Sequence, residues 1–140
     1  MGERLFCYIF ALYMLIDFMV VKLDFILILH HIFCLVGHAI ICVYEPEGFM
    51  QYFAGVVALE LGSGCMNQYC VYPNSALGAP LYVVGMSVSN LAGLYSAYQW
   101  SLLPASFSTK AFNIITIVVI VFMRQKSCYK YIRKGPYARH

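Results

Sequence analysis

Apolar runs alternate with short polar breaks up to residue 123, and Pro46, Pro73 and Pro104 all fall in the breaks. The pattern predicts five helices. The first covers about residues 5–21 and is ended by Lys22 and Asp24; the second covers about 25–44 and stops at Glu45-Pro46-Glu47-Gly48, where proline and glycine interrupt helical backbone. The third covers about 49–65 and leads into an uncharged loop around Asn67-Gln68 and Pro73-Asn74-Ser75. A fourth, 80–103, has proline in its first turn and Pro104 at its end, and the fifth covers about 110–123. At about 1.5 Å of rise per residue such runs approach the roughly 30 Å of a bilayer's hydrocarbon. The expected fold class is therefore an all-α polytopic membrane protein with about five transmembrane helices in one domain, residues 1–123, followed by a basic cytosolic tail, 124–140. No internal repeat or low-complexity segment is evident.

Polar residues inside the runs are patterned rather than scattered. The second run carries His30, His31 and His38, titratable groups at what would be membrane depth; His31 and His38 are two helical turns apart on one face, and His30 lies about 100° round the axis. Tyr13, Asp17 and Asp24 share a face of the first helix, and Glu60, Ser63 and Asn67 share a face of the third. The fourth mixes Ser87, Ser89, Asn90, Ser96 and Gln99 with Gly85 and Gly93, which suits close helix packing. Ionisable groups in hydrocarbon normally face a protein interior or a wet cavity. Asp17, His31, His38, Glu60, Asn67, Asn90 and Gln99 are thus expected to line a hydrophilic pocket, with an imidazole as the partner that keeps a buried carboxylate charged.

Composition agrees with the patterning. Of the 140 residues, 62% are hydrophobic and 11% charged, against about 25% charged in an average soluble domain. Six of the nine Lys and Arg lie from Arg124 onward, so the net charge of +3 describes a tail. Those six and Lys22 fall on one side of a five-span arrangement, with Arg4 and Lys110 on the other. That side is read as cytoplasmic and the N-terminus as lying across the membrane. The tail is a topology signal that touches anionic headgroups or other membrane proteins, and a membrane-tethered segment is a poor nucleic-acid binder.

The six cysteines show no repeated C-x-x-C spacing and are read as small apolar packers; Cys65 and Cys70, beside a loop, are the one pair noted for a bridge. No metal site is expected, because His30 and His31 point apart on a helix and no cysteine or carboxylate stands at familiar ligand spacing. The chain shows no secretory cleavage triplet, no myristoylation serine or threonine at position six and no KDEL-like terminus.

The succession of Tyr13-x-x-x-Asp17, then His30-His31 opening an apolar run, then Glu60-Leu61-Gly62-Ser63-Gly64-Cys65-Met66-Asn67 resembles the TLC-domain family. That superfamily includes ceramide synthases, translocating-chain-associating membrane proteins and small lipid-homeostasis proteins. Glu60 and Asn67 match the ends of its Glu-x-Ser-Thr-Pro-x-x-Asn-like segment, whereas Gly62 and Gly64 replace the Ser and Pro and Ser63 stands for Thr. The resemblance implies the C-terminal portion of such a helical bundle, one or two N-terminal helices short. It also implies integral, multi-pass placement in the endoplasmic reticulum or another endomembrane, with the plasma membrane as the alternative.

The function that the resemblance implies is lipid homeostasis, with membrane lipids as partners, no cofactor, and a cavity for a headgroup or acyl chain lined by Asp17, His38, Glu60, Ser63, Asn67 and Asn90. Two alternatives stand beside it. A ceramide-synthase-like acyltransferase would take acyl-CoA as co-substrate, with His30 or His31 as nucleophile or base towards the thioester and Asp17 or Glu60 orienting the imidazole. The His-Asp-x-x-Asp segment of ceramide synthases is missing near residues 56–60. The other alternative is a cargo or translocation adaptor of the endoplasmic reticulum that uses the tail for partners.

Overall fold

Two helices whose facing surfaces are nearly free of bulk form the centre of the fold. In the computed structural model, which describes residues 2–20, 25–44 and 46–134, helix α3 (Phe49–Val71) and helix α4 (Gly78–Ser101) lie against each other along their length. The buried positions of α3 are Phe49, Gly55, Gly62 and Tyr69, so its inward stripe repeats every two turns. On α4 the stripe runs Tyr82, Met86, Ser89, Gly93, Ser96 and Trp100, in alternating steps of four and three. A side chain at Gly62 would overlap the Ser89 hydroxyl, and one at Gly93 would come within 2.9 Å of Leu59 Cδ2. Small residues at such contacts let backbones approach closely, and dispersion and hydrogen bonds then hold the pair.

Three further helices complete the bundle. α1 is Gly2–Val20; α2 is Phe25–Ala39, continued by a π-helical turn, Ile40–Tyr44, and a 3-10 turn, Pro46–Gly48, that leads into α3. α5, Phe107–Lys134, packs on α4, while α1 lies mainly against α2. Among the described residues the protein is all-α with five α-helices, as the hydropathy pattern predicts. Two aromatic clusters mark the ends of the bundle. At one end Ile41, Phe49 and Trp100 pack with Phe6, Cys7, Phe53 and Leu103. This joins the start of α1, the end of α2, the start of α3 and the end of α4, so successive helices run antiparallel. Tyr69, Tyr82, Met86, Cys128 and Tyr131 form the other, with the Tyr69 and Tyr82 rings stacked at 5.5 Å.

Helix lengths depart from expectation where these clusters pull on them. α3 continues through Asn67-Gln68 to Val71, because Tyr69 is held against Tyr82. α5 continues for three turns past Met123, because Cys128 and Tyr131 are buried in the same cluster. Residues 124–134 are therefore helix, not tail. α5 also starts earlier than expected, since Ser106 caps it: the Thr109 N–H donates to Ser106 Oγ at 3.1 Å. The expected helix end at Val21, the continuation of the first polar face at Asp24, and residues 135–140 of the tail lie outside the described residues.

Among the described residues, α5 is the one helix of the five expected spans that is long and apolar enough to cross a membrane; the apolar parts of α1 and α2, Leu5–Val20 and Ile28–Val43, are shorter. α3 and α4 have the length, at 23 and 24 residues, but fall short in apolarity because of the small and polar residues that pack them together.

Gly62→Val should lower stability by ~2 kcal/mol, the usual scale of overpacking, whereas Gly64→Val, where an added Cβ meets nothing within 4 Å, should leave it nearly unchanged. Thermal unfolding of the two purified variants in detergent checks this; equal midpoints would show that the α3–α4 contact is not close-packed.

Candidate functional site

A polar layer crosses the bundle about 15 Å, or ten residues of helix, from the Trp100 end. Its best-defined part surrounds Arg124. The guanidinium donates through Nε to Asn90 Oδ1 at 2.9 Å, through one terminal nitrogen to Ser63 Oγ at 2.9 Å, and through the other to the Leu59 carbonyl at 2.8 Å and Ser89 Oγ at 3.1 Å. Each acceptor is itself oriented. Ser63 donates to the Leu59 carbonyl, Ser89 to the Met86 carbonyl at 3.0 Å, and Asn90 to Gln125 Oε1 at 3.0 Å. The absence of a side chain at Gly62 makes room for this arrangement, since a Cβ there would stand 2.5 Å from the guanidinium.

The acidic side of the layer comes from α1, α2 and α3. His31 Nε2 and Asp17 Oδ2 are 3.1 Å apart, with side chains 7% and 23% exposed, and Phe18 packs edge-on to the imidazole. His30 adjoins His31 and has its ring 3.7 Å from Cys34 Sγ. Glu60 sits on an exposed position of α3, in electrostatic range of Arg124, Asp17 and His31. Asp17, His30, His31, Glu60, Ser63, Asn90 and Arg124 thus bring together parts of all five helices.

The remaining expected residues lie elsewhere. Asn67 is exposed, two turns along α3 from Glu60. Gln99 donates to the Tyr95 hydroxyl on the exposed side of α4. His38 belongs to the Trp100 end, where Nδ1 is 3.0 Å from the Tyr52 hydroxyl and Nε2 is 2.8 Å from the Cys7 carbonyl.

The layer is not a pocket. A cavity of about 100 Å³ lies beside it, between α2, α3, α4 and α5, with walls that include Phe33, Gly37, Val56, Gly93, Phe112 and Ile117. None of Asp17, His30, His31, His38, Glu60, Ser63, Asn67, Asn90 and Gln99 lines it. The hydrophilic pocket expected from the sequence is replaced by polar groups that satisfy one another, as buried polar groups must, next to a mostly apolar hollow. Two of the cavity's wall residues are polar and incomplete: Gln51 Oε1 and Trp100 Nε1 are shut off from solvent without a hydrogen-bond partner.

Three groups escaped the sequence reading. Arg124 was counted with the tail; an arginine at the end of an apolar run that continues in helical register was the available signal. Gln51 is one polar residue in an apolar turn, with nothing in the sequence to mark it as unpaired. Cys7 and Cys42, read from the sequence as apolar packers, form a disulfide, while Cys65 and Cys70, the one pair noted for a bridge, form none. His38 stands four residues before Cys42, and one donor atom from each of Cys7, His38 and Cys42 lies within 4.8 Å of the others. Compared with known protein families, curated proteins and solved structures, the chain matches none.

Asn90→Leu strands the Arg124 Nε–H and should cost about 1–3 kcal/mol. Asn67→Leu, on an exposed position, should stay within about 0.5 kcal/mol. Unfolding midpoints of the two variants check this, and an Asn90→Leu protein as stable as the parent would remove the polar layer as a structural element.

Proposed function

We propose that this chain is a multi-pass membrane protein of lipid homeostasis, resident in an endomembrane such as the endoplasmic reticulum. On this reading it binds the hydroxyl- or amide-bearing part of a neutral lipid in the cavity between α2, α3, α4 and α5. The observation that carries the reading is the unpaired side-chain carbonyl of Gln51 in the wall of a mostly apolar hollow. An unmade buried hydrogen bond is expensive, and a ligand hydroxyl supplies the missing donor.

The membrane setting draws support from the outer surface. Leu61 on α3, Leu91 on α4 and Phe122 on α5 are each at least 66% exposed, and only 11% of the most apolar window of α5 is buried. A core helix of a water-soluble protein would show the reverse. Arg124, Asn90 and the Asp17–His31 pair turn towards protein partners. The antiparallel order puts the Cys7–Cys42 disulfide at the end opposite the basic end of α5. With that basic end cytosolic, the disulfide faces the oxidising side.

The order of the three short motifs supports a lipid role through its resemblance to the TLC-domain family. The Asp17–His31 pair is the contact that an acyltransferase reading would use. However, neither His30 nor His31 lines the cavity, and a hollow of about 100 Å³ is smaller than the roughly 150 Å³ that accommodates benzene. A short lipid segment fits it and a whole acyl chain does not. The geometry therefore favours binding over acyl transfer.

The protein reconstituted in nanodiscs and irradiated with a photoreactive, clickable ceramide should be labelled on cavity residues of α4 and α5. Ala97→Phe, which fills the cavity, should reduce labelling at least tenfold, and Gln51→Leu about fivefold, the loss expected from one hydrogen bond of ~1 kcal/mol. Labelling that ignores both variants would overturn the cavity as the binding site. Glycosylation acceptors added at the two termini test the topology: modification is expected at the N-terminal acceptor alone, and modification at both would rule out an odd number of spans.

A further inference from the structure

We propose that Cys7, His38 and Cys42 form a redox-gated site for a thiophilic metal ion, copper(I), at the Trp100 end of the bundle. The site goes beyond lipid binding and uses none of the cavity's unpaired groups. Three elements supply it: Cys7 from α1, His38 from the last turns of α2, and Cys42 from the π-helical turn that follows. Their Sγ, imidazole nitrogen and Sγ atoms lie within 4.8 Å of one another, so one ion at their centre needs only small side-chain movements to reach all three. Cys42 Sγ is already 3.6 Å from His38 Nε2. A π-helical turn is a common feature of functional sites, and here it carries one of the ligands.

The surroundings are those of a ligand histidine. His38 is 5% exposed, and its Nδ1 is 3.0 Å from the Tyr52 hydroxyl. A phenol can donate or accept. When the hydroxyl donates to Nδ1, Nε2 keeps its proton and donates to the Cys7 carbonyl at 2.8 Å. When Nδ1–H donates to the phenol oxygen, the Nε2 lone pair is free for a metal, and Tyr52 fixes the ring as outer-shell partners of metal-bound histidines do. Phe6 and Phe10 flank the ring, which limits water. Two thiolates and one imidazole, with His38 buried and Cys42 towards the surface, suit a soft ion; tetrahedral zinc would need a fourth ligand, and no further His, Cys, Asp or Glu donor belongs to the group among the described residues.

The disulfide is the gate. A dithiol reductant passes two electrons and two protons to the S–S bond, giving two Cys thiols while the reductant closes its own disulfide. Copper(I) then replaces the two thiol protons, which leave to solvent. A disulfide oxidant that takes two electrons and two protons from the empty dithiol, and is itself reduced to two thiols, reforms the S–S bond and removes both sulfur ligands.

The test uses the full chain in detergent, anaerobically, with copper(I) supplied from a chromogenic chelator. After reduction with a phosphine, the parent protein should take up one more equivalent of copper(I) than the Cys7→Ser/Cys42→Ser variant, and the unreduced protein should lack that equivalent. His38→Gln and Tyr52→Phe should each weaken the uptake about tenfold or more. Because His38→Gln can disturb packing, maleimide labelling of the reduced parent gives a second reading: copper(I) should protect Cys7 and Cys42 selectively, leaving Cys65 and Cys70 reactive. Equal uptake by the reduced parent and the double serine variant, or protection confined to other cysteines, overturns the proposal.

Discussion

The structure depends on a guanidinium held by dipoles. All four hydrogen bonds of Arg124 among the described residues end on uncharged acceptors, while Glu60 acts on it only through space. A buried cation is tolerated when its donors are met and its surroundings are fixed in advance. Here α3 and α4 provide those fixed surroundings. The glycine at position 62 brings their backbones close enough for Ser63, Ser89, Asn90 and the Leu59 carbonyl to converge. α5 is then located on the pair by one side chain near the layer and by Cys128 and Tyr131 below it.

The same dipole network separates two regions of different chemistry. On one side lies the apolar cavity with its incomplete Gln51 and Trp100; across the layer are the tyrosines of the opposite end. The ionisable groups of α1 and α2 pair with each other at the margin, through His31 and Asp17. Asp17, His31, Glu60 and Arg124 therefore lie in one band between the helix ends, and many of the large side chains that face outward are aliphatic or aromatic.

Much of the fold was legible in the sequence because the breaks are chemical. Proline and glycine at 46–48 and Pro104 delimit helices whatever their neighbours do, and the starts of α2 and α3 fall where the pattern puts them. The C-terminal ends of α3 and α5 were not legible, since Tyr69, Cys128 and Tyr131 stay helical only because each is buried against another helix. The candidate site was partly legible. Helical spacing placed Glu60 with Ser63, and the expected carboxylate–imidazole partnership appears as Asp17–His31. Arg124 was hidden by its company, a lone cation at the head of a run of basic residues. The Cys7–Cys42 bridge was hidden by distance, because 35 positions of sequence say nothing about proximity until α1 and α2 are folded back on each other.

The arrangement around Arg124 also imposes an order on assembly. A chain is made from its N-terminus, so the serines, the asparagine and the carbonyl that receive the guanidinium are synthesised before the arginine itself. The α3–α4 hairpin can therefore be in place as a prepared socket when α5 emerges from the ribosome. α5 then closes on that socket instead of waiting, charged and unaccompanied, for partners still to come.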